Sequence, residues 1–178
     1  MSSHIIDFSF LGDQFGSAQV RRIFSEEATL QKWLDVEAAL ATVEARHGLV
    51  QEEAAAEISA KAKIDLLDMA ELKRQADTTW HPVVPLIRAF EAVCAGMAGE
   101  FIHWGATSYD IINTGMVLQV KEVYGIFLEH LKELDAILCS LARKHTQGYI
   151  DGGKNPQAAC PSYHVRVESR CMGGGTPA

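Results

Sequence analysis

One stretch constrains this chain more than any other. Between Ser108 and His145 the apolar residues Val117, Val120, Tyr124, Phe127, Leu131, Leu134, Leu138 and Leu141 recur in alternating steps of three and four. That is a sustained heptad seam on one helix. It predicts a helix starting near Thr107 or Ser108 and running to about His145. At roughly 1.5 Å per residue such a helix is more than about 50 Å long. A helix of that length cannot bury its seam inside a small domain. It requires long partner helices, from further sequence or from other subunits.

The segments before it are also helical in pattern. Residues 25–47 predict a long helix, with Ser25 as N-cap, Glu26 and Glu27 at the positive end of the dipole, and Gly48 as its stop. Trp33, Val36, Leu40 and Val43 form one apolar stripe, and Leu30, Leu34, Ala38 and Ala41 a second, so packing on two sides is expected. Residues 51–62 and 66–77 predict two shorter helices, rich in alanine and glutamate. A further helix is expected from Pro82 to about Met97, with Pro85 still tolerable near its start. Gly99–Thr107 reads as a loop, and residues 1–22 as an arm punctuated by Asp7, Gly12, Asp13 and Gly16. Little reads as strand. The expected fold class is all-α: an N-terminal helical domain over 1–107 and, over 108–147, the first long helix of a central bundle.

Composition narrows the function classes. The chain has 178 residues, 48% hydrophobic and 22% charged, which is enough for a packed core. A net charge of -7 argues against nucleic-acid binding and favours anionic ligands only where basic residues concentrate. No run is long enough to span a membrane and no secretory leader pattern is visible, so a cytoplasmic protein without a membrane partner is expected. Cys94, Cys139, Cys160 and Cys171 match no zinc or disulfide framework; Cys94 and Cys139 fall in helical patterns and read as buried thiols.

From Gly148 onward, over residues 148–178, the helical period vanishes and glycine, proline and cysteine crowd together. One reading is a flexible tail. The other is translation in the wrong frame. The codons of Tyr149 to Gln157, read one nucleotide later, permit Thr-Leu-Met-Val-Gly-Arg-Thr-His-Arg, and those of Ala158 to Val165 permit Gln-His-Ala-Leu-Pro-Ile-Thr-Phe. The codon of Asn155 can then give only Thr or Ile, and that of Lys154 only Arg or Lys.

The strongest chemical signal lies at His103-Trp104-Gly105-Ala106-Thr107-Ser108-Tyr109-Asp110. A helix N-terminus offers unpaired N–H groups and positive potential. The Thr107 and Ser108 hydroxyls and the His103 ring add donors, and Gly105 lets the backbone approach a ligand. Together they suit a carboxylate or phosphate. The competing reading is an ordinary capping box, Thr107 with Asp110. His81, before Pro82, either aims its ring into a cleft or serves structure. Arg21 and Arg22 are either a weak anion-binding pair or a solvated face.

Three stretches, IFSEEATLQKWLDVEAAL (23–40), TWHPVVPLIRA (79–89) and GEFIHWGATSYDIINTG (99–115), resemble the fumarase/aspartase superfamily. They are most similar to its branch with adenylosuccinate lyase and 3-carboxy-cis,cis-muconate cycloisomerase. The shifted frame permits GRTH and QHALPITF, similar to that family's next segment. The resemblance implies a homotetramer built on a central bundle. It implies cleavage of a C–N or C–O bond β to a carboxylate in an anionic dicarboxylate-type substrate, without cofactor or metal. By the same resemblance His103, Thr107, Ser108 and His81 contact substrate; Arg21 is a further candidate on its charge alone. The family's GRTH histidine and its serine base on a mobile loop are not encoded. The expectation is therefore a truncated, inactive lyase fragment. A stand-alone helical interaction module is the rival reading. His81-Pro82, Trp104 and Ala106 depart from the usual adenylosuccinate lyase pattern (His-Asp, Phe and Leu) toward the cycloisomerase side. Tyr109 and Asn113 depart from the commoner Ser or Gln and Asp.

Overall fold

A computed structural model describes residues 4–144. Its helices are α1 (Gly12–Phe15), α2 (Ala18–Ile23), α3 (Glu26–Arg46), α4 (Glu52–Lys61), α5 (Met69–Thr79), α6 (Val84–Val93) and α7 (Ser108–Lys144). Among the described residues there is no strand, as an all-α fold requires. The tail over 148–178 lies outside them.

Local chemistry sets most of the boundaries. Ser25 Oγ accepts the Ala28 N–H at 3.2 Å and opens α3. Gly48, at φ 71°, closes it. There the Gly48 N–H reaches the Ala45 carbonyl and the Leu49 N–H the Glu44 carbonyl, both at 2.9 Å, in a Schellman pattern. α5 begins at Met69, three residues later than the pattern suggested, because Asp68 Oδ1 caps the N–H groups of Ala70 and Glu71 at 2.9 and 3.2 Å. α6 is shorter than expected at both ends. His81 Nδ1 accepts from the N–H groups of Val83 and Val84 at 3.2 and 3.1 Å, so the helix starts beyond Pro82. It stops at Val93, where Cys94 turns extended and Gly96 follows at φ 62°.

The arm differs most from expectation. Residues 12–23 form two short helices rather than loop. Ser17 Oγ caps α2 through the Val20 N–H at 3.2 Å. The Arg21 guanidinium ties α2 back to the carbonyls of Gly12 and Gly16 at 3.1 and 2.7 Å. Helices this short draw on such clamps, which leave no periodic signal.

The chain divides by packing between Val123 and Tyr124, inside α7. In the first unit the core gathers Leu34 and Ala41 of α3, Ala54, Ala55 and Ile58 of α4, Leu72 of α5, Leu86 and Phe90 of α6, and Ala98 and Ile102. Of the two stripes on α3, the one through Leu34 and Ala41 is buried, whereas Val43 of the other is exposed. Only one side of α3 is therefore fully covered. The first turns of α7 join this unit through Ile111, Gly115 and Gln119. Gln119 is buried, and its amide donates to the Ile23 carbonyl and Thr29 Oγ1 at 2.7 and 2.9 Å. In the second unit the described residues, 124–144, are a single helical run, with Cys139 half-buried. The whole seam from Val117 to Leu141 is open, between 43 and 64% exposed. Cys94 is half-buried rather than buried, and desolvation raises its thiol pKa.

Candidate functional site

The loop before α7 is held by a contact sixty-six residues long in sequence. Glu37 lies on the buried face of α3, 2% exposed, one turn from Leu34 and Ala41. One carboxylate oxygen accepts the His103 backbone N–H at 3.0 Å. The other sits 2.7 Å from His103 Nδ1. This double clasp holds His103 at φ 62°, a left-handed conformation unusual for a side-chain-bearing residue. Gly105 follows at φ 69°. Trp104 packs edge-on against Phe101, with centroids 5.7 Å apart.

Burial pushes the Glu37 carboxyl above its usual range, and the hydrogen bonds from His103 oppose that rise. Glu44, two turns along α3, is raised by burial too. It lies under the same loop: a Cβ on Gly105 would stand 3.9 Å from Glu44 Oε1.

His103 lines a groove of about 320 Å³ with Val84, Ile87, Arg88, Glu91 and Ile102. The groove thus combines one histidine, one guanidinium and one carboxylate over apolar walls. His81 stands at the start of the helix that forms its other wall, with Nδ1 occupied as a helix cap.

The remaining predicted residues fare unequally. Thr107 is exposed and Ser108 half-buried at the start of α7. The Thr107 N–H donates to Asp110 Oδ2 at 3.0 Å, the backbone half of a capping box, and no hydrogen bond engages either hydroxyl among the described residues. Arg21 departs from the picture of an anion-binding arm. Its guanidinium is taken by Asp13 at 2.6 Å and by two backbone carbonyls, so a structural clamp replaces the expected free cation. Arg22 is exposed and has no such partner among the described residues. Arg88 and Glu37 were not singled out from sequence. Glu37 did leave one signal, a carboxylate on the apolar face between Leu34 and Ala41. Among the described residues no cluster of His, Cys, Asp and Glu is arranged to hold a metal, and no helix is long and apolar enough to cross a membrane.

No protein-family model matches the chain. Individual relatives do. The chain is 40% identical to the adenylosuccinate lyase of Methanocaldococcus jannaschii over 162 residues, 91% of this chain and 34% of that protein. It is 39% identical to the N-acetyl-S-(2-succino)cysteine lyase of Enterococcus italicus over 161 residues, 90% of this chain and 35% of that protein. In structure it resembles the 3-carboxy-cis,cis-muconate lactonizing enzyme of Pseudomonas putida, with a TM-score of 0.72 at 35% identity, covering 78% of this chain and 32% of that one. These homologues and structural neighbours are lyases of the fumarase/aspartase superfamily. The chain spans about a third of the length of the relatives it matches. The stretch around His103 that carried the resemblance holds two of the positive-φ residues, His103 and Gly105, and the contact between His103 and the buried Glu37 carboxylate.

Proposed function

We propose that the chain carries one corner of the substrate site of a lyase that cleaves a C–N or C–O bond β to a carboxylate by anti elimination, adenylosuccinate lyase-like and releasing fumarate. The observation that carries this reading is the clasped His103 loop opening onto the N-terminus of α7, in a chain 40% identical to an adenylosuccinate lyase. In such an elimination a base removes the proton on the carbon next to the carboxylate. The electron pair forms the new C=C bond, the β C–N or C–O bond breaks, and the leaving group takes up a proton. Negative charge builds on the carboxylate in the transition state. Fixed donors are what that charge requires. The roles we assign are anion contact for the Thr107 and Ser108 hydroxyls, and ligand contact for the free Nε2 sides of His103 and His81. Arg21 is left out, because its guanidinium is spent within the arm.

We further propose that these 178 residues alone turn nothing over. The described residues offer the anion corner, but acid and base chemistry of this type needs several groups fixed together. The complete enzyme in this reading is a homotetramer whose bundle covers the α7 seam. Cycloisomerisation of a carboxymuconate is the second reading. It is favoured by Trp104 and Pro82 and by the 35% identity to a muconate lactonizing enzyme. A gene carrying a one-nucleotide shift between codons 145 and 175 would account for the tail.

The deciding experiment has two arms. The purified chain and a frame-repaired, extended version are assayed on adenylosuccinate and on 3-carboxy-cis,cis-muconate, while the gene is sequenced across codons 145–175. Turnover of adenylosuccinate by the extended version alone is the expected result. Turnover of the muconate alone establishes the second reading. Measurable turnover by the 178-residue chain, with no restoring frame in the gene, overturns both the inactivity and the frame-shift proposals. A stable, compact, inert monomer in both forms leaves the helical interaction module instead.

A further inference from the structure

The Glu37–His103 clasp fixes more than the loop. When ionised, Glu37 is acceptor-only. One of its oxygens is already committed to the His103 backbone N–H. The other faces Nδ1 at 2.7 Å, a distance at which two lone pairs would repel. With Glu37 ionised, Nδ1 therefore carries the ring proton, and a neutral ring then has a bare Nε2. Among the described residues Nε2 has no hydrogen-bond partner, and His103 lines the groove that also holds Arg88 and Glu91. Glu44, beneath the loop, adds no second bond to the ring.

We propose that Glu37 is a positioning residue that locks His103 in its Nδ1–H tautomer and so presents Nε2 as a hydrogen-bond acceptor at the groove, suited to a ligand that joins an anionic group, for Arg88, to an N–H or O–H donor. This rests on the lyase reading for the ligand's class but not for the tautomer. A plain dicarboxylate offers acceptors only and meets an acceptor at Nε2. A dicarboxylate bearing a hydroxyl or amine offers the missing donor.

The Glu37→Gln chain provides an unusually clear test. A glutamine has one acceptor and one donor end. Its oxygen must face the His103 backbone N–H, since turning its amide there would set two donors against each other. The amide nitrogen then faces Nδ1 and donates to it. The tautomer inverts, and Nε2 becomes a donor.

Histidine-selective ¹⁵N NMR of the 178-residue chain at neutral pH reads this directly, with the His103 signals assigned by their loss in His103→Asn. The expected result is Nδ1–H in the wild-type chain and Nε2–H in Glu37→Gln. Nε2–H in the wild type, or one tautomer in both, overturns the proposal. Should Glu37→Gln not fold, the wild-type tautomer decides alone. The same samples are then titrated with succinate and with malate, which differ by one hydroxyl. One hydrogen bond is worth about 1 kcal/mol, so the wild type should prefer malate by about fivefold. Glu37→Gln should lose that preference. An equal preference in both chains rejects the positioning role. No response of His103 to either acid rejects the ligand part of this proposal. The tautomer exchange would still stand or fall by itself.

Discussion

The two halves of α7 are one continuous helix under opposite conditions. Up to Val123 its inward residues Ile111, Gly115 and Gln119 are buried. From Tyr124 onward Phe127, Leu131, Leu134, Ile137, Leu138 and Leu141 are all exposed. Hydrophobic residues are plentiful in both halves. What differs is the presence of a partner, because an apolar stripe stabilises a fold only where something covers it. The first half therefore gives one face to a domain core while its seam residues Val117 and Val120 stay open, and the second leaves its seam open along its described length.

The largest test of this contrast is a pair of truncations. Phe90 is fully buried. Phe90→Ala should cost about 3–5 kcal/mol in urea unfolding. Leu138→Ala, on the open half of α7, should change stability by no more than about 0.5 kcal/mol. A Leu138→Ala cost approaching that of Phe90→Ala would show that the seam is covered in solution and would erase the contrast.

Those features that are local or periodic were legible in the sequence. The seam, Ser25 as cap and Gly48 as stop needed only spacing and one residue each. The Glu37–His103 clasp was not legible, because its partners are sixty-six residues apart and periodicity does not pair a helix face with a distant loop. Arg21 misled for the same reason. A cation in an arm looks free until the carbonyls of Gly12 and Gly16 fold back onto it. At His81 the structural reading accounts for Nδ1, which caps the start of α6.

Two glycines sharpen the comparison within α7 itself. A Cβ on Gly115 would meet Trp33 Cδ1 at 2.7 Å and Nε1 at 3.1 Å. Gly115→Ala should therefore force Trp33 to shift and cost about 1–3 kcal/mol. Gly125 has nothing within 4 Å. Gly125→Ala should stabilise the chain by up to about 1 kcal/mol through helix propensity alone. Opposite signs from one substitution type in one helix, read as shifts of the thermal midpoint, are the expected outcome. A loss at Gly125 would mean that another helix approaches there.

Acidity probes the packed half alone. Burial raises the Glu37 carboxyl above 4.5, so the folded chain holds that proton more tightly than the unfolded one. Its contribution to stability is full below about pH 4.5 and is lost as pH rises through the folded value. Glu37→Gln cannot ionise and should flatten this part of the stability profile, gaining on the wild type as pH climbs toward neutrality. A difference between the two chains that stays constant with pH would count against the burial cost.

The smallest expected effect sits where the two halves of α7 meet. Lys32 Nζ reaches Glu122 Oε1 at 2.6 Å, one residue before the packed unit ends. Both side chains are partly exposed, so solvent screens the pair, and a double-mutant cycle of Lys32→Ala and Glu122→Ala should give about 0.5 kcal/mol. The Lys32 pKa is raised, first by its hydrogen bond with Glu122, with burial opposing. The pair's contribution is accordingly full below about pH 10.5 and lost as pH rises through the folded value. It should also fade with salt, since exposed charges are screened within about 10 Å at 0.1 M. A coupling well above 1 kcal/mol that salt does not touch would mean the pair is dry in solution. The cover over α7 would then have to begin before Tyr124, and the line between its packed and open halves would need to be redrawn.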